Sequence, residues 1–131
     1  MSDTDDDRDR GVLTEADRAY LRGETEPSST QVERNTRARI RNRVYDALLD
    51  FPVLVEHLSE RDRELVFDDR LDAAGPAAFD ALVATVAFLY DGLEETDLAF
   101  ETVLAEGINV ACAPDDRAAT VDLDVTYTSL T

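Results

Sequence analysis

Five arginines within ten residues, Arg34, Arg37, Arg39, Arg41 and Arg43, are the part of this chain best suited to chemistry. A guanidinium is always charged and offers a planar fork of donors, so such a cluster fits phosphate or carboxylate oxygens. Plotted at 100° per residue, Arg34, Arg37 and Arg41 flank one edge of an apolar stripe, while Arg39 and Arg43 flank the other. Gln31, Asn35, Ala38 and Asn42 fall on the outer face. One reading lays this helix against nucleic-acid phosphates, with a short helix before it as in a helix-turn-helix unit. The connection from Gly23 to Ser29 is longer than that motif normally uses. The other reading has the arginine stems covering the core margin and their heads pairing with the chain's many acids. The second reading is favoured on the sequence.

The remaining reactive residues point to no chemistry. His57 has Glu56 beside it and Glu60 three residues on, but one histidine at a helix end serves the helix dipole or the surface. The single Cys112 cannot form an internal disulfide and, with only one histidine in the chain, makes no zinc set. Asp68, Asp72, Gly75 and Asp80 have some of the spacing of a calcium loop, but Arg70 stands at a ligand position and the glycine is displaced. Asp68/Asp69 and Asp115/Asp116 are carboxylate pairs in a chain that is nearly a quarter acid, where such pairs carry little information. The Walker loop, G-x-G-x-x-G, G-x-S-x-G and H-E-x-x-H are all missing. These features predict a protein that is not an enzyme and holds no cofactor and no metal.

Charge is the strongest global signal. Thirty acids face thirteen basic residues, every one of them arginine, for a formal net charge of −17 over 131 residues. Such a charge repels itself in dilute buffer, whereas at molar salt the Debye length shrinks to about 3 Å and the repulsion is largely screened. The composition therefore predicts a protein adapted to a high-salt cytosol. Salt also weighs on the nucleic-acid reading: five phosphate contacts give a slope of about −4.5 in log affinity against log salt, so a twentyfold rise in salt costs roughly 10⁵ to 10⁶.

The elements that must position these residues are helical. Residues 1–11 are polar and predict a disordered acidic tail, and 12–131 a single helical domain. The start MSDTDDDRDR lacks the apolar stretch of a secretory signal, which predicts a cytoplasmic protein. Thr14 with Asp17 three positions on forms a capping box for a helix from Glu15 to Arg22, stopped by Gly23. Thr30 and Glu33 open a long amphipathic helix whose Val32, Thr36, Ile40, Val44, Ala47, Leu48 and Phe51 share one face; Pro52 is expected to break or kink it near Asp50. A shorter helix from Val53 to Leu58 follows, then one capped by Ser59 and ending near Leu71.

Pro76 opens a helix whose Phe79, Leu82, Val83, Val86, Ala87 and Tyr90 predict the central core element. At about 24 Å, and carrying Asp80 and Asp91, it is read as too short and too charged for a membrane span. A last helix starts near Asp97. Residues 108–113 fit either its end, to Ala111, or a strand. Over 118–128, Ala119, Val121, Leu123, Val125 and Tyr127 alternate with polar residues as in a half-buried strand. A lone strand leaves its backbone unpaired, so it pairs with 108–113 as a short hairpin or with another chain as a homodimer. The fold class expected is mainly α: about five helices with a C-terminal strand or hairpin.

The run LTEADRAYLRGE at 13–24, Arg37-Ala-Arg-Ile-Arg-Asn-Arg-Val44 and Ala47-Leu-Leu-Asp-Phe51 resemble a family of uncharacterised small acidic proteins of halophilic archaea. The resemblance spans about residues 11–70. It implies a salt-adapted cytosol and brings no activity or site residue with it. The function expected is a non-enzymatic regulatory or adaptor protein acting on an unidentified protein partner, with DNA-binding regulation through helix 30–50 as the alternative.

Overall fold

The computed structural model describes residues 10–131 and is mainly helical, as expected. The expected acidic tail, 1–11, lies outside the described residues except for its last two. The chain divides into two compact units, with the boundary after Leu58.

The first unit is an antiparallel helical hairpin. Helix α1 is Glu15–Leu21 and α2 is Thr30–His57. Thr14 caps α1 by accepting from the Asp17 amide at 3.1 Å, while the Asp17 carboxylate accepts from the Thr14 amide at 3.1 Å. The expected capping box is present. The helix ends in a Schellman turn: Glu24 N–H reaches Ala19 O at 2.9 Å and Gly23 N–H reaches Tyr20 O at 3.0 Å. Gly23 holds φ +76 there, which a side chain would make costly. Ser29 caps α2 at the Val32 amide.

Helix α2 departs from expectation at Pro52, where the sequence predicts a break near Asp50 and a separate helix from Val53. It continues through Pro52 to His57. Proline there leaves the Leu48 carbonyl without its i+4 donor, but this stretch is exposed and solvent can satisfy that oxygen. At 28 residues α2 is about 42 Å long, whereas the seven residues of α1 span about 10 Å. The short helix therefore covers only the middle of the apolar stripe. Ile40 is buried and Thr36, Val44 and Ala47 are half-buried, while Val32, Leu48 and Phe51 remain exposed.

The second unit begins with α3, Glu60–Glu64, capped by Ser59 at the Asp62 amide. The expected helix to Leu71 then widens into a π-helix over Leu65–Leu71 before α4, Asp72–Ala74. A π turn takes more residues than an α turn and rotates the side chains off the α-helical stripe. Val66 and Phe67, read as the apolar part of this helix, are exposed. Gly75, at φ +62 and ψ −131, separates α4 from α5, Pro76–Leu93, and makes the bend that a residue with a Cβ resists.

Helix α5 is not the buried core element the periodicity predicts. Ala78 is its one buried residue, and α5 meets α4 at its start and α6 at its far end, where Tyr90 meets Phe100 edge-on at 5.4 Å. No element of this unit lies over the Phe79–Val86 stretch, so its apolar stripe is exposed. Helix α6 runs from Phe100 to Cys112, passes through Gly107 and settles 108–112 as helix. A single 3₁₀ turn, Ala113–Asp115, follows, and Asp116 reverses the chain in the left-handed region at φ 62, ψ 36.

The expected C-terminal strand, and with it the 108–113 hairpin, is absent: no β-strand occurs among the described residues. Residues 117–131 instead run without turn or bend, and side chains of α6 take the place of a neighbouring strand. The Asn109 amide donates to Ala119 O at 3.0 Å and accepts from Ala119 N–H at 2.8 Å; Glu101 Oε2 accepts from Leu123 N–H at 3.0 Å. Eight residues of helix rise about 12 Å and four residues of extended chain about 13 Å. The two sets of anchors therefore match only if the tail is extended and antiparallel to α6. Asn109→Ala leaves the Ala119 amide and carbonyl unbonded, and should cost about 1–3 kcal/mol. Hydrogen exchange should show Ala119 and Leu123 amides losing protection ahead of those in α6.

Candidate interaction site

The structure sorts the five arginines by helix face. Arg39 and Arg43, one turn apart on α2, turn toward α1, where both approach Asp17. Asp17 is fully buried. Its Oδ2 accepts from both the Thr14 amide and the Arg43 guanidinium, and Arg39 Nη2 stands 3.7 Å from Oδ1. One carboxylate thus caps α1 and ties it to α2. Arg43 is itself largely covered, with 22% of its side chain exposed.

Burial alone pushes the Asp17 carboxyl up. The Thr14 amide, the Arg43 hydrogen bond and charge, and the Thr14 hydroxyl outweigh it and hold the pKa below the ordinary carboxylate value. Two further contacts extend the clamp. Arg18, also buried, donates to Leu13 O at 3.0 Å. Tyr20 donates to Glu33 Oε2 at 2.9 Å, which pins the far end of α1 to the start of α2. The Tyr20 phenol is raised by burial and by that carboxylate, with Arg37 acting the other way.

Arg34, Arg37 and Arg41 make the second set. All three are exposed, and among the described residues none has an ion-pair partner. Spaced i, i+3 and i+7, they present three cations along one side of α2. This is the geometry a phosphate backbone or an acidic peptide would meet. Arg39 and Arg43 thus lie on the flank of α2 toward Asp17, and Arg34, Arg37 and Arg41 on the other. Asp17 was legible as the acid of a capping box, but its burial and its role as an arginine acceptor were not. The usable signal was the i, i+4 spacing of Arg39 and Arg43 at the stripe's edge.

The larger surface is apolar. Phe79, Leu82, Val83 and Val86 lie within an arc of about 100° on α5 and are 66%, 47%, 50% and 53% exposed. By length and composition alone α5, at 18 residues and mean hydropathy 1.3, is long and apolar enough to cross a membrane. Asp80 and Asp91 within it are charges that a bilayer interior disfavours. His57 is exposed and stands 3.5 Å from Glu56, which is exposed as well.

Residues 12–131 match a family model whose description is a domain of unknown function. No curated protein and no solved structure matches the chain.

The lowered pKa of Asp17 sets a pH window. Its contribution to stability is complete above the ordinary value of 3.8 and is lost as pH falls through the lower folded value. Asp17→Asn should destabilise the first unit by about 3 kcal/mol at neutral pH, because Arg43 is left without its counter-charge. The same substitution should remove Asp17's share of the acid-side loss of stability, read as the difference between denaturant titrations of parent and variant as pH falls below 3.8.

Proposed function

Because the chain belongs to the DUF8102 family through residues 12–131, a family whose description names no activity, we propose a function from its own surface: a non-enzymatic regulatory or adaptor protein that binds another protein through α5. The observation that carries this reading is the exposed row Phe79, Leu82, Val83 and Val86. Two phenylalanines, Phe79 and Phe88, are more than half exposed on one helix of a highly charged chain. An apolar helix face of this kind suits insertion into a groove or packing against another helix, where aromatic anchors contribute most of the affinity.

The composition supports a high-salt cytoplasm as the setting, where apolar association is strengthened and ionic association is screened. A second reading keeps one observation in its favour. Arg34, Arg37 and Arg41 are exposed and free of acid partners among the described residues, as a DNA-binding helix requires.

The two readings separate in one comparison in about 2 M KCl. A photo-cross-linking residue in place of Val83 should trap a discrete protein partner in cells, and Phe79→Asp should weaken that complex by about thirtyfold or more, as loss of an aromatic hot spot does. Arg37→Glu/Arg41→Glu should leave it nearly unchanged. DNA fragments that bind the parent and not the arginine variant would overturn the adaptor reading in favour of DNA regulation. Flotation of the parent with lipid vesicles that Phe79→Asp abolishes would replace the protein partner with a membrane.

A further inference from the structure

The C-terminal segment carries an open backbone edge. In an extended chain the N–H and C=O of one residue point to the same side, and those of the next residue to the other. The α6 anchors engage Ala119 and Leu123, both odd-numbered. The odd residues of the segment therefore turn their backbone toward α6, and Thr120, Asp122, Asp124, Thr126 and Thr128 turn theirs away. None of these five has a backbone hydrogen bond among the described residues, and all are exposed. On the apolar side Val121 and Leu123 are half-buried, but Val125 is 46% and Tyr127 74% exposed.

We propose that this edge pairs with the same segment of a second copy, antiparallel about a two-fold axis through Val125. The choice of occupant and of register follows from the side chains. An axis at Leu123 sets Asp122 opposite Asp124 twice, and an axis at Asp124 sets that residue against itself. Like charges directly opposite destabilise a strand pair. An axis at Val125 sets Asp124 opposite Thr126 and Asp122 opposite Thr128, and no two acids face each other. It also sets Leu123 opposite Tyr127, which covers the exposed ring, and Val125 against its own copy.

The same register brings even-numbered residues together, as the open edges require, and gives about eight backbone hydrogen bonds over residues 122–128. A two-stranded ribbon alone is marginal, but each strand here is already backed by α6 through Glu101 and Asn109. Tyr90 meets Tyr127 hydroxyl to hydroxyl at the far end of the segment, and this contact, more than burial and the nearby Glu94 and Asp91, pushes the Tyr90 phenol up to about 12. The pairing uses neutral backbone groups, so added salt does not weaken it, while it screens repulsion between two chains of net charge −17. This inference stands apart from the α5 reading, since it uses neither α5's exposed face nor the arginines.

Light scattering should find a dimer whose population rises with KCl up to about 2 M. In a Cys112→Ser background, Val125→Cys should lock that dimer by a disulfide, since facing residues in such a pair stand about 4.5–5.5 Å apart. Leu123→Cys should not, because its two copies would lie about 13 Å apart along the ribbon, beyond disulfide reach. A monomer at all salt concentrations, or a dimer that Val125→Cys fails to lock, overturns the proposal.

Discussion

The first unit depends on one carboxylate that solvent does not reach. Asp17 receives the Thr14 amide from its own helix start and Arg43 from α2, with Arg39 nearby. Among the described residues the only buried apolar side chains are Ile40 and Ala78. Apolar burial in the hairpin is correspondingly thin, so the relative position of α1 and α2 rests on polar contacts whose geometry is specific. A buried charge is costly unless it is met by an opposite charge and by further donors, and Asp17 has both. The inward flank of the arginine cluster is thereby committed to structure, and the outward flank is what remains for recognition.

The second unit likewise relies on polar side chains of specific geometry. Where a sheet would satisfy an extended backbone with another strand, Asn109 offers a side-chain amide with the same donor and acceptor pair, and Glu101 adds an acceptor two turns earlier. These two side chains hold the tail along α6 by one of its backbone edges. That placement leaves one backbone edge of the tail and much of α5 open to other molecules.

Local signals were legible in the sequence wherever they depend on chemistry within a few residues. The caps at Thr14, Ser59 and Pro76, the stop at Gly23 and the long α2 pattern all follow from such rules. What could not be read was decided at longer range. Pro52 is tolerated because its surroundings are exposed, and the π-helical turn at Leu65–Leu71 has no distinguishing residue. The alternation over 118–128 predicts a strand that is absent among the described residues, because period-two patterning cannot tell a strand from a tail held by helix side chains. Helix α5 has the stripe of a core element, and periodicity says only that a face is apolar, never what covers it. Of the candidate site, the two flanks of the arginine cluster were legible; the acceptor that binds one of them was not, because Asp17 and Arg43 are twenty-six residues apart.

The inward arginines hold the first unit together through Asp17. A double-mutant cycle on Asp17→Ala and Arg43→Ala, followed by denaturant unfolding at neutral pH in about 2 M KCl, tests it most directly. A coupling of roughly 1–3 kcal/mol is predicted, with Arg37→Ala showing no coupling to Asp17. Additive effects of Asp17→Ala and Arg43→Ala would contradict the claim.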